Sequence, residues 1–182
     1  MRMVVPTFHS ADMVRALPED GNRYETVHGE LLVTPAPRAW HQEVVRRLLV
    51  ELSAFTARVR IGHVFHSPAD ISWSPDTLVQ PDVFVADLAE ARTLDWSRIR
   101  HLLLAIEVLS PASARSDRFT KRRLYQEVGV PVYWVVDPDE RTVEVWAPTN
   151  TFPTVERERV SWQPEGGTGS MVIELDVLFR PV

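Results

Sequence analysis

Two periodicities divide the chain. Over residues 40–57, apolar Val44, Val45, Leu48, Leu49, Leu52 and Phe55 recur at helical spacing while Arg46, Arg47 and Glu51 take the opposite face, which predicts a long amphipathic helix. His41 and Glu43 fall in its first turn, where an acid favours the helix dipole. Residues 10–18 predict a short helix capped by Ser10 and stopped by Pro18. Elsewhere the period is two, or the apolar run is continuous. Residues 24–34 read as a hairpin turning at His28-Gly29, with Glu30 opening its second strand. Residues 59–65, 70–73 and 79–85 read as strands, the last with Pro81 marking an edge or bulge near its start. Residues 87–100 are polar with one helical turn, and residues 102–109 form a buried strand interrupted by a single carboxylate, Glu107. A loop opened by Ser110 and Pro111 leads to a helix over 117–128, then Gly129, Pro131 and a strand over 132–136. Residues 142–146 return as its hairpin partner, and 155–161 and 171–175 are further strands around the flexible segment 166–170.

Helix, strands, buried strand, helix, strand and hairpin in that order predict an α/β or α+β domain, a mixed sheet with helices packed on it. At 182 residues the simplest organisation is one domain. It divides into an N-terminal helix and hairpin (10–34), a core (40–137) and a C-terminal hairpin with added strands (138–182). Apolar residues make up 45% and charged residues 25%, the balance of a water-soluble globule. No run reaches the roughly 18–20 apolar residues of a membrane span. The first fourteen residues lack the apolar core of a signal peptide, so a cytoplasmic location is expected. Without cysteine, disulfides, thiolate metal sites and a cysteine nucleophile are excluded.

Charge sharpens the picture at one place. Of twenty basic residues, one alone is lysine, Lys121. Arginine is a permanently charged planar fork, whereas lysine is a compact ammonium with a tunable pKa. Asp117, Lys121 and Tyr125 fall at i, i+4 and i+8 and share one helix face. Asp117 is also placed to cap that helix. Lys121 follows Glu107, and Glu107 follows Asp82, in three successive predicted elements. Two carboxylates on neighbouring strands suit a hard divalent cation, which acidifies water and neutralises charge growing on a phosphate oxygen. A nearby ammonium adds electrostatic stabilisation. The plain structural alternative is an ion pair between Glu107 and Lys121. As a helix residue, Lys121 is expected to be replaceable without loss of the fold. The net charge of −5 confines nucleic-acid contact to a local patch or to metal assistance, and Arg115, Arg118, Lys121, Arg122 and Arg123 supply the densest run.

The strings VQPDVFV and IEVLSPAS, then Asp117 and Lys121, then YQEVGVPVYWVVDPDERTVEVW, resemble the bacterial Uma-two family of restriction-endonuclease-like proteins in the PD-(D/E)XK nuclease superfamily. The resemblance begins at residue 16 and covers nearly the whole chain. It implies a restriction-endonuclease-like core of order αβββαβ, whose first helix is that of residues 40–57. Asp82 corresponds to the motif aspartate and Glu107 to the (D/E) position. The superfamily lysine would fall at Leu109, and the resemblance implies that Lys121 takes its place. Glu30 and His41 match positions at the active-site periphery, with Gln80, Asp117 and Tyr125 beside them. The implied activity is Mg²⁺- or Mn²⁺-dependent hydrolysis of DNA, with Asp82 and Glu107 holding the metal. Arg115, Arg118 and Arg122 are the expected nucleic-acid contacts. A homodimer is expected, since cutting two strands takes two sites. The alternatives are a nuclease-fold module that binds nucleic acid, metal or a partner without catalysis, and a two-carboxylate glycoside hydrolase.

Overall fold

A computed structural model describes residues 7–182, so the first six of the fourteen N-terminal residues lie outside the described residues. In chain order the elements are α1 (Ala11–Arg15), β1 (Arg23–Val27), β2 (Glu30–Thr34), α2 (Ala39–Val59), β3 (His63–His66), β4 (Ile71–Ser74), β5 (Thr77–Val79) and β6 (Val83–Ala86). After α3 (Leu88–Ala91) and a 3₁₀ turn (Trp96–Arg98) come β7 (Leu102–Val108), a π-helical turn (Ser116–Lys121), α4 (Arg122–Glu127), β8 (Tyr133–Asp137) and β9 (Thr142–Trp146). The chain closes with β10 (Thr154–Glu156), β11 (Arg159–Trp162), β12 (Met171–Glu174) and α5 (Leu175–Leu178).

The main sheet has six strands in the order β10-β9-β8-β7-β6-β3, with β7 and β8 parallel and the other pairs antiparallel. From α2 onward this is the expected αβββαβ order, with β4 and β5 diverted into a second sheet of order β2-β1-β5-β4. The continuous apolar run of β7 follows from burial on both faces. Leu104, Ile106 and Val108 pack with Val44, Leu48 and Leu52 of α2, while Ala105 lies in a second core with Leu124, Tyr125 and Tyr133. Glu107 belongs by alternation to that second face.

Three predicted strands differ in the structure. Residues 79–85 split between sheets, because Pro81 has no N–H to offer a ladder and the chain crosses there from β5 to β6. Residues 155–161 likewise divide into β10 and β11, which belong to different sheets. The strand expected from residue 59 starts at His63, because α2 runs on to Val59 and ends at Arg60 in the left-handed conformation, φ 56°. The helix expected over 117–128 is π-wound in its first part. Among the described residues, no helix is long and apolar enough to cross a membrane.

Candidate active site

The crossing between the two sheets organises the site. Gln80, having left β5, donates its backbone N–H to Glu25 Oε1 of β1 at 2.7 Å. Pro81 then delivers Asp82 to the junction. Asp82 Oδ1 accepts from Arg23 Nη1 at 2.7 Å, and Oδ2 accepts from the Val108 N–H at 2.8 Å and lies 3.2 Å from His41 Nε2. One carboxylate thus ties together β1, α2 and the end of β7.

Behind Asp82, Glu107 Oε1 accepts from Lys121 Nζ at 3.1 Å and from the Tyr125 hydroxyl at 3.0 Å. The Lys121 ammonium also stands 2.8 Å from Glu25 Oε2 and 3.3 Å from Asp117 Oδ1. Glu25, Glu107, Asp117 and Tyr125 are fully buried, and Lys121 is 1% exposed. The π-helical turn carries Asp117 and Lys121 and runs into α4, which carries Tyr125, so one short segment supplies three of the cluster's members. π-turns within helices recur at functional sites.

The charges do not balance. Glu25, Asp82, Glu107 and Asp117 face Arg23 and Lys121, so four ionised carboxylates against two cations leave two negative charges in excess. Burial pushes the Glu107 carboxyl well up, and Asp117, Asp82 and Glu25 add to it against the pull of Lys121. Burial likewise raises Asp117, again opposed by Lys121. Asp82 goes the other way: burial would raise it, but Arg23, His41 and Lys121 hold it below the usual carboxylate range. Burial alone would lower Lys121 and Arg23, yet the surrounding carboxylates keep both above their ordinary values. Glu107 Oε1 already receives two hydrogen bonds, whereas Oε2 is buried and unpartnered.

An unpartnered Glu107 Oε2, an unpartnered Asp117 Oδ2 and an excess of two negative charges fit a divalent, oxygen-seeking cation. Among the described residues, no three acidic, imidazole or thiol groups converge as a ready-made cage. The donor set therefore suits an ion held by one or two carboxylates and otherwise by water, as magnesium is.

A cleft of about 650 Å³ opens beside this cluster. Arg23, His41, Asp82, Ser110 and Ser113 stand on its wall, and Lys121 and Glu107 lie behind it. Asp82 is accordingly the carboxylate that faces both the buried charges and the open space.

The expected site residues are distributed unevenly. Glu107, Asp117, Lys121 and Tyr125 form one contact network, to which Asp82 and His41 connect through Arg23 and Glu25. Gln80 takes part through its backbone, while its side-chain amide lies 3.3 Å from Asp70 Oδ1. Glu30 stands apart, exposed at the start of β2. The basic run is not one patch. Arg118 binds Asp137 and Glu144, Arg122 binds Gln126 and covers the Trp146 ring, Lys121 is buried, and Arg115 and Arg123 remain exposed. The expected freedom to replace Lys121 is also overturned: a fully enclosed ammonium on three carboxylates is not a surface helix residue.

Arg23 and Glu25 escaped the sequence reading. RYETV looks like an ordinary hairpin strand, whose polar positions are expected in water. The signal was the alternation itself, which puts Arg23, Glu25 and Val27 on one side.

A family model, Uma2, described as "Putative restriction endonuclease", matches residues 11–176. Among curated proteins none matches the chain. Among solved structures, a "putative nuclease belonging to DUF820" from Anabaena variabilis ATCC 29413 superposes with a TM-score of 0.73 at 23% identity, covering 94% of this chain and 97% of that one. At that identity the likeness speaks for the fold.

Proposed function

The chain belongs to the Uma2 restriction-endonuclease family, and from that premise we propose that it is an endonuclease hydrolysing DNA phosphodiester bonds with a divalent metal, Mg²⁺ or Mn²⁺. The observation that carries this reading is the set of three buried carboxylates on the one lysine, with a fourth, Asp82, beside them facing a cleft. A glycoside hydrolase would present two carboxyl groups flanking a sugar groove; here Glu107 is sealed behind the wall, bound to Lys121 and Tyr125.

In this reading Asp82 and Glu107 hold the metal. When bound, the ion supplies an acidified water and neutralises charge developing on the phosphate oxygen. Glu107 must be ionised for its unpartnered oxygen, Oε2, to act as a ligand. Lys121 keeps Glu25, Glu107 and Asp117 together despite their mutual repulsion and sets the direction of Glu107 through Oε1. Tyr125 donates to the same oxygen, which reserves Oε2 for the ion. Val108 N–H and His41 fix the rotamer of Asp82 from the strand and the helix side.

Supercoiled plasmid DNA is the substrate for the test. The protein is expected to nick or linearise it in Mg²⁺ or Mn²⁺ and not in EDTA. Asp82→Asn and Glu107→Gln are expected to lose the activity by at least about 10²-fold, the scale of losing a group that stabilises transition-state charge. Plasmid left intact by the wild-type protein in both metals contradicts the proposal and favours a non-catalytic module.

A further inference from the structure

Lys121, the cation expected from the sequence at the scissile phosphate, is enclosed, and its ammonium is already on three carboxylates. A phosphodiester in the cleft does not meet it. Two arginines stand on the cleft wall, Arg15 and Arg23. Arg15 is paired with Asp12 at 2.9 Å and Asp70 at 3.3 Å, away from the buried cluster. Arg23 belongs to both places. Its Nη1 donates to Asp82 Oδ1 at 2.7 Å and to the Gln80 carbonyl at 3.2 Å, while the side chain keeps 18% exposure. Its buried Nε has no acceptor, standing 3.7 Å from Glu25 Oε2. Nε faces Glu25 and is closed to the cleft, so the exposed part of the planar guanidinium is what a phosphate oxygen can reach.

Resting on the nuclease reading, we propose that Arg23 is the substrate-contacting cation of the cleft, gripping a phosphate of the DNA backbone beside Asp82, while Lys121 is a positioning residue acting on the carboxylates behind. Asp82 and the Gln80 main-chain carbonyl both hold the fork through Nη1 before substrate arrives. The arrangement also answers the acidity of the protein: a net charge of −5 offers a polyanion little, so one preorganised guanidinium at the site of reaction matters more than the surface at large. Phosphate contacts of this kind position the nucleic acid without reading its sequence.

The test compares wild type with Arg23→Gln, Arg23→Lys and the double variant Arg23→Gln/Asp82→Asn. Two quantities are read: KM and kcat for metal-dependent cleavage of a fluorescein-labelled duplex, and anisotropy of that duplex with the protein in EDTA across a salt series. Arg23→Gln is expected to raise KM on the order of tenfold, the scale of a lost charge-assisted hydrogen bond. It is also expected to reduce the slope of log K against log salt by about one. Arg23→Lys keeps the charge beside Asp82 but not the fork, and is expected to fall between. The double variant is expected to bind as weakly as Arg23→Gln. A wild-type KM in a folded Arg23→Gln or Arg23→Lys protein overturns the assignment and leaves the nuclease reading standing. Wild-type affinity regained in the double variant overturns it too, since Arg23 would then only mask the charge of Asp82. A wild-type protein that neither binds nor cleaves the duplex overturns the nuclease reading itself, and this inference with it.

Discussion

Glu107 is the residue whose placement has the largest energetic consequence. Without a metal it is a carboxylate in a dry cluster with excess negative charge, and burial raises its pKa. Its folded-state pKa therefore lies above the unfolded value of about 4.3, so the folded state binds the proton more tightly. Protonation of Glu107 favours folding, and that contribution is lost as pH rises through the folded value. Asp82 has the opposite sign. Its depressed pKa gives stability that is present above about 3.9 and lost as pH falls through the folded value. Removing the negative charge at Glu107 should then help the metal-free protein at alkaline pH. Glu107→Gln in EDTA at pH 8 is expected to melt roughly 2–4 °C higher than wild type, the shift for about 1 kcal/mol in a chain of this size. Thermal melts followed by circular dichroism from pH 5 to about pH 9 check this; a lower melting temperature at pH 8 contradicts the electrostatic account. The same residue explains what was legible in the sequence. Glu107 and Lys121 stood out because a charge inside an apolar run, and a lysine among arginines, are chemically out of place. Glu25 is as deeply buried as either, but it sits in a polar-looking hairpin strand where only the tertiary partner reveals the inward face.

At the scale of elements, the site depends on two departures from regular structure. The first is the break between β5 and β6, where Pro81 ends one ladder and Glu25 takes up the freed Gln80 N–H. Residues 79–85 read as one strand with Pro81 marking an edge or bulge, and only the structure shows that the two sides of Pro81 belong to different sheets. The second is the π-helical turn Ser116–Lys121. Its i→i+5 winding is one residue wider per turn than an α-helix, which no hydrophobic pattern encodes. Phe119 within it is 55% exposed and not part of either main core, so it can be deleted with little loss of packing. Deleting Phe119 is expected to restore α winding and to leave Asp117 three residues before the lysine, which shifts its carboxylate relative to the ammonium it now meets at 3.3 Å. Helical content should survive, while cleavage falls to the level of Glu107→Gln. Circular dichroism and the plasmid assay together measure this, and full cleavage by the deletion variant contradicts the role given to the π turn.

At the scale of the molecule, a mixed sheet with packed helices was legible because the long amphipathic helix, the doubly buried strand and the short hairpins each carry a strong local pattern, while the order αβββαβ was implied by the family resemblance. The strands near the C-terminus were legible too, but not the pairing of β11 with β12, since Val160, Trp162, Met171 and Ile173 acquire their role only by packing into the core of α2. Assembly belongs to this scale as well. We propose a homodimer on the ground that two sites are needed to cut both strands, with the C-terminal strands as its contact, since the β8–β9 hairpin is flanked by β7 and β10 and β8 is buried. Light scattering at micromolar concentration is expected to give twice the chain mass of 20.8 kDa, and a monomer removes the proposal. The claim on which the whole account rests is that the excess charge of the buried cluster is a metal site. Its direct measurement is a Mn²⁺ titration by calorimetry, repeated in buffers of different ionisation enthalpy, on wild type, Asp82→Asn and Glu107→Gln. Wild type is expected to bind Mn²⁺ with release of protons, more tightly as pH rises, because the raised carboxyls must ionise to act as ligands. Both variants are expected to lose that binding. Equal Mn²⁺ binding by all three proteins, or none by the wild type, contradicts the account.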